Sequence, residues 1–354
     1  DYAGGRSLLC AIDRGFAVRV APRADRRIRA IDVASGERCE VPLAIDAQAE
    51  LGSWANYVAT VARRLVRNFP ELQVGVDLAF ASDLPVAAGM SSSSALMIAV
   101  AVALAKSNDL RTSETFRTAI ATREELASYL GCVENGSPFR ALGSDTGVGT
   151  FGGHQDHVAI LCAEPGRILQ YAFMPVRREA VYAFPADHVL VVAASGVLAE
   201  KSAGARIAYN RAAALVGRLL GMWNRTVRDD YASLADAVRS DVDVPGRLRA
   251  LAAADDEGAL LVPRLEQFLL ESFELVPAAA RVLAHGPLAE LGAIVDRSQQ
   301  AAETLLGNQV PETVALARLA REAGAVAASA FGAGFGGSVW ALVPTAAADA
   351  FTET

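Results

Sequence analysis

The sequence lacks a hydrophobic run long enough to cross a membrane. Its longest apolar stretch, from Ala95 to Ala105, is closed by Lys106, well short of the roughly 20 residues that a membrane-spanning helix needs. It also lacks a basic cluster, because 33 lysines and arginines are scattered among 40 aspartates and glutamates, for a net charge of -7. These absences argue against a membrane or a nucleic acid as the main partner.

Cysteine is scarce, and no C-x-x-C pair occurs. The four cysteines are widely spaced, at Cys10, Cys39, Cys132 and Cys162, so we expect reduced thiols in a cytoplasmic protein, with disulfides as the alternative. The sequence is rich in hydrophobic residues, at 52% of 354. That is enough for two domains with well-buried cores.

Strand and helix patterns alternate irregularly along the chain. Residues Arg6–Val20 and Arg27–Val41 alternate apolar and polar side chains and predict two or three strands of a mixed sheet. A helix is predicted over Ser53–Asn68, with Ser53 as its N-cap, and another over 113–131. An apolar strand is predicted after Gly153. Because no regular βαβ order emerges, the expected class is α+β with two domains.

Four consecutive serines, Ser91 to Ser94, stand between Gly89 and a long apolar helix. Amides in the first turn of a helix have no internal partner, and the helix dipole adds positive potential there. A glycine lets the backbone approach an anion closely, so the segment suits nucleotide phosphates. The alternative is an ordinary N-cap with spare serines on a core helix.

Three further segments could carry chemistry. Asp156 lies between His154 and His157 in "GGHQDHV", where a carboxylate could act as a general base or orient a hydroxyl. The two histidines offer poor geometry for a metal, and a structural turn stays possible. "FGAGFGGS" at 331–338 matches the dinucleotide-binding pattern G-x-G-x-x-G, but it lacks the usual strand–loop–helix context. The match is weak, and a glycine-rich β-turn that lets two backbones pack closely is the alternative. Glu134 is read as an isolated loop glutamate, which is usually a solvated surface residue.

Together, in this order, the segments resemble the GHMP kinases, the family of galactokinase, homoserine kinase, mevalonate kinase and phosphomevalonate kinase. The family's P-x-x-x-G-[LM]-x-S-S-A motif stands at 85–94, with Ser94 in place of the alanine, and its third, glycine-rich motif matches 332–338. Four segments look most like the galactokinase branch: "DYAGG", "SWANYV", "ENG…GGHQDH" and "EKSAGARIAYNRA".

The resemblance implies an α+β, two-domain GHMP kinase fold. The N-terminal half, 1–185, would be ribosomal S5 domain 2-like and bind ATP, and the C-terminal half, 186–354, would be ferredoxin-like. Since "DYAGG" matches only the tail of the family's first motif, we expect a first strand and the rest of that motif before Asp1. A final element is expected beyond Thr354.

The resemblance also implies a set of site residues. The ATP phosphates would be bound by Gly89, Met90, Ser91, Ser92, Ser93 and Ser94. Magnesium would be held by Ser93 and Glu134, and Asp156 would be the catalytic base. The sugar would contact Asp1, Gly153, Asp156 and Tyr209. The third motif would support the reacting groups through Gly332, Gly334, Gly336 and Gly337.

The implied function is an ATP- and Mg²⁺-dependent kinase that phosphorylates the anomeric hydroxyl of an aldose, with galactose as the first choice. "GGHQD" is closer to the heptose and fucose kinases, and Ser329 stands where the third motif often carries arginine. A heptose, fucose or mevalonate type of kinase and a non-catalytic sugar sensor therefore remain as alternatives. The expected partners are a small sugar and ATP, and either a monomer or a dimer is open.

Overall fold

The computed structural model describes residues 1–84, 89–197 and 203–353, apart from the side chains of 203–205. These residues form two compact units. The larger unit holds residues 1–11, 89–90 and those from 163 onward, and the smaller unit holds 12–84 and 91–162. Within these ranges, no helix is both long enough and apolar enough to span a membrane. The four cysteines are free, as expected.

The strands are β1 (Arg6–Cys10), β2 (Phe16–Arg23), β3 (Arg27–Asp32), β4 (Arg38–Pro42), β5 (Gly75–Ser82), β6 (Arg167–Ala172), β7 (Arg177–Ala183), β8 (His188–Ala194), β9 (Ala327–Ala330) and β10 (Ser338–Pro344). The helices are α1 (Ala55–Asn68), α2 (Ser92–Ser107), α3 (Glu114–Ala119), α4 (Arg123–Asn135), α5 (Gln155–Cys162), α6 (Ala203–Val227), α7 (Leu234–Ser240), α8 (Val244–Ala253), α9 (Gly258–Leu269), α10 (Val276–His285), α11 (Glu290–Ala301), α12 (Pro311–Glu322) and α13 (Ala348–Thr352). Wider π-type turns cover Leu270–Leu275 and Ala302–Leu306.

The smaller unit is built on a four-stranded sheet in the order β2-β5-β3-β4. Strands β3 and β5 are parallel and the other pairs are antiparallel, so β2, β3 and β4 confirm the predicted mixed sheet. Strand β1, from the same predicted stretch as β2, pairs in a different sheet. Helices α1 and α2 bury apolar residues such as Val58, Leu65 and Met97 in the same core as strand residues Ile28 and Leu78. The apolar run of α2 is therefore a core helix, which holds the serines at its start on a rigid element.

Three local predictions in the smaller unit were wrong. The segment 113–131 is not one helix, because Thr122 starts a new helix through a capping box with Glu125 (Glu125 N–Thr122 Oγ1, 3.1 Å; Thr122 N–Glu125 Oε2, 3.0 Å). Helix α4 then runs past Gly131 to Asn135, so Glu134 lies in its last turn and not in a loop. The apolar stretch after Gly153 is helix α5, since periodicity cannot separate so short a run from a strand.

The predicted helix at 53–68 is present, with a small difference at its start. It begins at Ala55, and Trp54 occupies the cap position. The Ser53 hydroxyl accepts a hydrogen bond from the Ala55 amide at 3.2 Å instead of capping deeper in the first turn. The sequence therefore predicts the element correctly and its cap wrongly.

The larger unit combines two antiparallel sheets, β1-β6-β7 and β8-β10-β9, with helical layers. Its largest apolar cluster surrounds Leu219, Trp223 and Leu265 on α6 and α9. The α+β class is confirmed. The domain limits 1–185 and 186–354 stay a prediction, and the compact units divide the chain differently. Strand β1 pairs with β6, with Leu9 opposite Leu169, which places the first residues with those after 163.

Candidate functional site

The start of α2 carries the four serines. Ser91 is the residue before the helix and has a left-handed backbone, with φ of 57°. In the part of the chain that the structure describes, its side chain takes no hydrogen bond from the first turn. Three helical positions behind it, Met97, Val100 and Leu104, are fully buried. The arrangement is a fixed helix start without a side-chain cap, which suits an anion.

Gly89, predicted to bind phosphate, belongs to the larger unit. Its φ of 74° is a left-handed conformation that favours glycine. A Cβ placed on Gly89 would lie 3.9 Å from Phe331 Cβ and 4.0 Å from Gly337 Cα. The structure thus brings Gly89 beside the glycine-rich third motif, two segments that are far apart in the sequence. Met90, which follows it, is half-buried.

Glu134 forms the centre of a buried polar cluster in the smaller unit. The Ser94 hydroxyl donates a hydrogen bond to Glu134 Oε2 at 3.0 Å. His157 Nε2 lies 3.6 Å from the same oxygen, and the His157 side chain is only 1% exposed. The serine that contacts Glu134 directly is Ser94, and the predicted role of Ser93 as a magnesium ligand stays a prediction. Ser94 takes the place of the family's alanine, and an alanine there could not make this contact.

The oxygen atoms of this cluster fit a magnesium ion. Magnesium prefers hard oxygen ligands, keeps several waters, and is often held by only one or two protein groups together with substrate phosphates. Glu134 supplies a carboxylate, and Ser93 and Ser94 supply hydroxyls at the same helix start. Across the described ranges there is no group of three or more His, Cys, Asp or Glu residues arranged as a metal site. A magnesium ion at Glu134 and Ser93 stays a prediction.

Asp156 lies in the first turn of α5, where the helix dipole favours a carboxylate. Its helix packs against α4. A Cβ on Gly131 would clash with the His154 ring and approach Gly153 O to 3.2 Å, so only glycine permits this approach. The side-chain amide of Asn135 also donates to Gly152 O at 2.8 Å. These contacts fix the segment that carries Asp156 against the helix that carries Glu134.

The two histidines of "GGHQDHV" have separate partners. His157 faces Glu134, whereas His154 Nε2 lies 3.6 Å from Cys132 Sγ. Burial lowers the pKa of His154 to about 4 and raises the pKa of Cys132 to about 11. Both groups of that pair are therefore neutral at physiological pH, and they act as packing under the site.

Sequence reasoning missed the residues that support Glu134 from behind. The backbone amide of Val148 donates to the Glu134 carbonyl at 2.8 Å, and the side-chain amide of Asn56 donates to Val148 O at 3.3 Å. Arg63 holds the same loop through an ion pair with Asp145, at 2.7 Å between Nε and Oδ2. The only feature of the sequence that points to this support is the pair Arg63 and Arg64 among the apolar residues of α1. The "SWANYV" segment thus positions the loop behind Glu134.

The predicted sugar-side residues Asp1 and Tyr209 lie in the larger unit. Asp1 Oδ1 accepts a hydrogen bond from the Tyr2 amide at 2.9 Å, and Asp1 O accepts from Gly4 N at 2.8 Å. A Cβ on Gly4 would clash with Ser233, which explains the glycine there. Tyr209 is half-buried near the start of α6. Their contact with a sugar stays a prediction.

The glycine-rich third motif is a loop of left-handed residues. Positive φ angles occur at Gly332 (50°), Gly334 (77°), Phe335 (61°), Gly336 (120°) and Gly337 (89°). Three amides of the loop donate within the unit: Gly334 N to Phe331 O at 3.4 Å, Phe335 N to Asn308 O at 2.6 Å and Gly337 N to Val197 O at 2.8 Å. At the C-terminal end of the loop, Gly337 O accepts a hydrogen bond at 2.8 Å from the amide of Ser195, the residue after β8. The loop is therefore a shaped backbone surface and not only a turn.

Comparison with known families and proteins decides which fold family this is. The description "GHMP kinases N terminal domain" matches residues 56–136, and "GHMP kinases C terminal" matches residues 275–353. This chain belongs to the GHMP kinase family. The N-terminal match contains the serine helix start and Glu134, and the C-terminal match contains the glycine-rich loop.

Within the GHMP kinases, the similar proteins include galactokinases. The galactokinase of Chloroflexus aurantiacus is 28% identical over 99% of this chain and 82% of its own length. The galactokinase of Actinobacillus pleuropneumoniae is 39% identical, but that alignment spans only 28% of this chain and 26% of that enzyme. The structure of Lactococcus lactis galactokinase complexed with galactose superimposes with a TM-score of 0.80, covering 100% of this chain and 84% of that one at 23% identity. The last comparison shows a shared fold.

Proposed function

We propose that this GHMP kinase transfers the γ-phosphate of ATP to the anomeric hydroxyl of an aldose, with galactose as the substrate. The observation that carries the proposal is the buried Ser94–Glu134 pair at the start of α2, next to the helix that presents Asp156. Similarity to the Chloroflexus galactokinase along 99% of the chain supports galactose as the acceptor. The free cysteines support action in the cytoplasm.

Glu134 and Ser93 are proposed to hold the magnesium ion. Ser94 then has a different role, because its hydroxyl donates to Glu134 Oε2 and orients the carboxylate. The second carboxylate oxygen of Glu134 is the one proposed to face the ion. When bound, magnesium neutralises charge on the β- and γ-phosphates.

Asp156 is proposed to accept the proton of the sugar's anomeric hydroxyl. As the hydroxyl oxygen forms its bond to the γ-phosphorus, the bond from phosphorus to the ADP oxygen breaks, and the proton passes to the Asp156 carboxylate. Phosphoryl transfer depends mainly on positioning and on charge stabilisation. A single carboxylate on a fixed helix is therefore sufficient as a base.

The remaining predicted residues are proposed to bind the two substrates. The phosphates of ATP would lie against Gly89, Met90 and the amides of Ser91–Ser94, with the loop at 332–337 alongside Gly89. The sugar hydroxyls would contact Asp1, Gly153 and Tyr209. This division assigns phosphate mainly to backbone amides, and the sugar to the side chains of Asp1 and Tyr209 together with the backbone of Gly153.

Product analysis by NMR tests the proposal. The protein is incubated with Mg-ATP and galactose, and the product is examined by ³¹P–¹H correlation. We expect a phosphate coupled to the anomeric proton of the sugar. A phosphate coupled to a proton at another carbon, or no phosphorylated sugar from any aldose, would contradict it.

A further inference from the structure

The glycine-rich loop is held in part by Asn308, a residue outside it. Asn308 follows the wide turn Ala302–Leu306 and lies just before α12, and it is only 6% exposed. Its carbonyl oxygen accepts a hydrogen bond from the Phe335 amide at 2.6 Å. Its side-chain amide donates to Ala333 O at 3.0 Å. Asn308 therefore grips the loop at two points, on either side of Gly334.

The fit around Gly334 is close. A Cβ on Gly334 would clash with both the carbonyl and the side-chain amide of Asn308. Gly334 is buried, whereas Gly332 and Ala333 at the tip are exposed. The exposed tip is thus held from beneath by Asn308.

Asn308 is itself held by a chain of side-chain amides. Gln309 Nε2 donates to Asn308 Oδ1 at 3.1 Å, and Gln299 Nε2 donates to Gln309 Oε1 at 3.4 Å. Gln299 Oε1 then accepts from Ser329 Oγ at 2.9 Å and from Ala330 N at 3.0 Å. The chain of amides reaches the end of β9, where the glycine loop begins. It connects the entrance of the loop to its middle.

Such support matters because the loop cannot hold itself. A segment with five left-handed residues, four of them glycine, has many alternative conformations, and ordering it costs conformational entropy. A binding surface fixed before the ligand arrives avoids that cost at the time of binding. Gly89, the glycine of the predicted phosphate loop, lies against Phe331 and Gly337 at the two ends of this loop.

We propose that Asn308 is a positioning residue for nucleotide binding, which holds the loop 332–337 in the conformation that receives the ATP phosphates. This inference rests on the proposed function and deepens it. Asn308 acts through the loop backbone and through Ala333 and Phe335, without touching the reacting atoms.

A matched control exists in the same unit. Asn224 donates to Tyr231 O at 3.0 Å and accepts from Tyr231 N at 3.3 Å, and its carbonyl accepts from Asp229 N at 3.2 Å. It holds a turn in the same way, but that turn follows α6 and is not part of the proposed site. Asn224→Ala therefore removes the same chemistry from an unrelated loop.

The test compares Asn308→Ala, Asn308→Asp and Asn224→Ala with the unaltered protein. Asn308→Asp keeps the size and the Oδ1 acceptor, but it replaces the donor to Ala333 by a carboxylate oxygen and adds a negative charge, so it removes the same hydrogen bond if the alanine variant fails to fold. The readouts are the affinity for ATP without acceptor, kcat and KM for Mg-ATP, and the thermal midpoint. We expect both Asn308 variants to weaken ATP binding about tenfold, the equivalent of about 1.4 kcal/mol. Asn224→Ala should lower only the thermal midpoint.

Equal effects of the Asn308 and Asn224 variants on ATP affinity, or no effect of either Asn308 variant, would overturn the inference. ATP binding separates it from the proposed function. If the unaltered protein binds ATP but phosphorylates no sugar, the proposed function fails, and a selective loss of ATP affinity in the Asn308 variants still supports the positioning role. If the unaltered protein binds no ATP, both fail.

Discussion

The cluster around Glu134 and the loop at 332–337 organise polar groups in opposite ways. Around Glu134, side-chain oxygens project from helices whose other faces are buried in a core. In the loop, left-handed residues shape the backbone, and hydrogen bonds with residues outside it, Asn308 among them, hold that shape. Helix-borne groups are positioned by apolar packing, whereas the loop needs specific hydrogen bonds. We therefore expect substitutions around Glu134 to change mainly the reaction rate, and substitutions in the loop at 332–337 to change mainly its conformation.

The largest effect is expected from the base. Asp156→Asn removes the proton acceptor and should lower kcat at least about 10³-fold, within the range of general-base contributions. ATP affinity should stay within about twofold of the unaltered protein, since neutralising one carboxylate leaves the phosphate contacts in place. Steady-state kinetics and ATP titration check this. Near-normal turnover would remove Asp156 from the base role.

The loop is best challenged at Gly334. Gly334→Ala introduces a Cβ at φ of 77° and against Asn308, and should cost about 3 kcal/mol of stability or rearrange the loop. Gly332→Ala is the matched control, because its nearest contact would be Gly89 O at 3.6 Å. It should cost about 1 kcal/mol through its φ alone. Urea unfolding compares them, and equal losses would contradict the packing argument.

Glu134→Gln tests the proposed metal ligand while keeping an acceptor for Ser94. Turnover should fall about 10²-fold, the usual loss when one charge-stabilising group is removed. Saturation should also require more Mg²⁺, because a neutral amide binds the ion more weakly. A Mg²⁺ titration of kcat measures this. Asp156→Asn is the control, because the Mg²⁺ concentration that it needs for nucleotide binding should equal that of the unaltered protein. An unchanged Mg²⁺ dependence of Glu134→Gln would argue against a metal at this carboxylate.

The support behind Glu134 should show in acid. Burial opposes the charge on Asp145, but hydrogen bonds from Thr146 N and Arg63 hold the pKa of Asp145 below its usual value. Its stabilisation is therefore present above the unfolded pKa of about 3.9 and lost as pH falls through the lower folded pKa. Asp145→Asn should cost about 2 kcal/mol at pH 7. Below about pH 4, the free energy of unfolding of the Asp145→Asn variant should fall less with pH than that of the unaltered protein. Urea unfolding at a series of pH values measures this. Parallel pH profiles would contradict this.

The smallest effects distinguish two neighbouring serines. Ser93→Ala removes a proposed metal ligand and should lower kcat about tenfold or more. Ser94→Ala restores the family's alanine and removes one hydrogen bond to Glu134, so the loss should stay within about fivefold. Comparison of kcat at saturating Mg²⁺ decides the order. A larger loss for Ser94→Ala would make Ser94 the proposed ligand in place of Ser93.

The sequence predicted the elements with strong periodicity and missed contacts that form only on folding. The mixed sheet and α1 follow from regular patterns of apolar residues, and α2 follows from its continuous apolar run after the serines. The placement of Glu134 in α4 was missed because Gly131, usually a helix terminator, is needed inside the helix for the approach of His154. The Asn308 network joins positions about thirty residues apart, and no local pattern announces it. Motif resemblance located the candidate residues, and packing shows how several of them are held.

The most direct measurement is ADP release with Mg-ATP across a panel of acceptors: galactose, other aldoses, heptoses, mevalonate and homoserine. The account predicts turnover with an aldose, fastest with galactose, and its loss in Asp156→Asn. Turnover only with mevalonate or homoserine, or ATP and sugar binding without any turnover, would contradict the account of this chain as a sugar kinase.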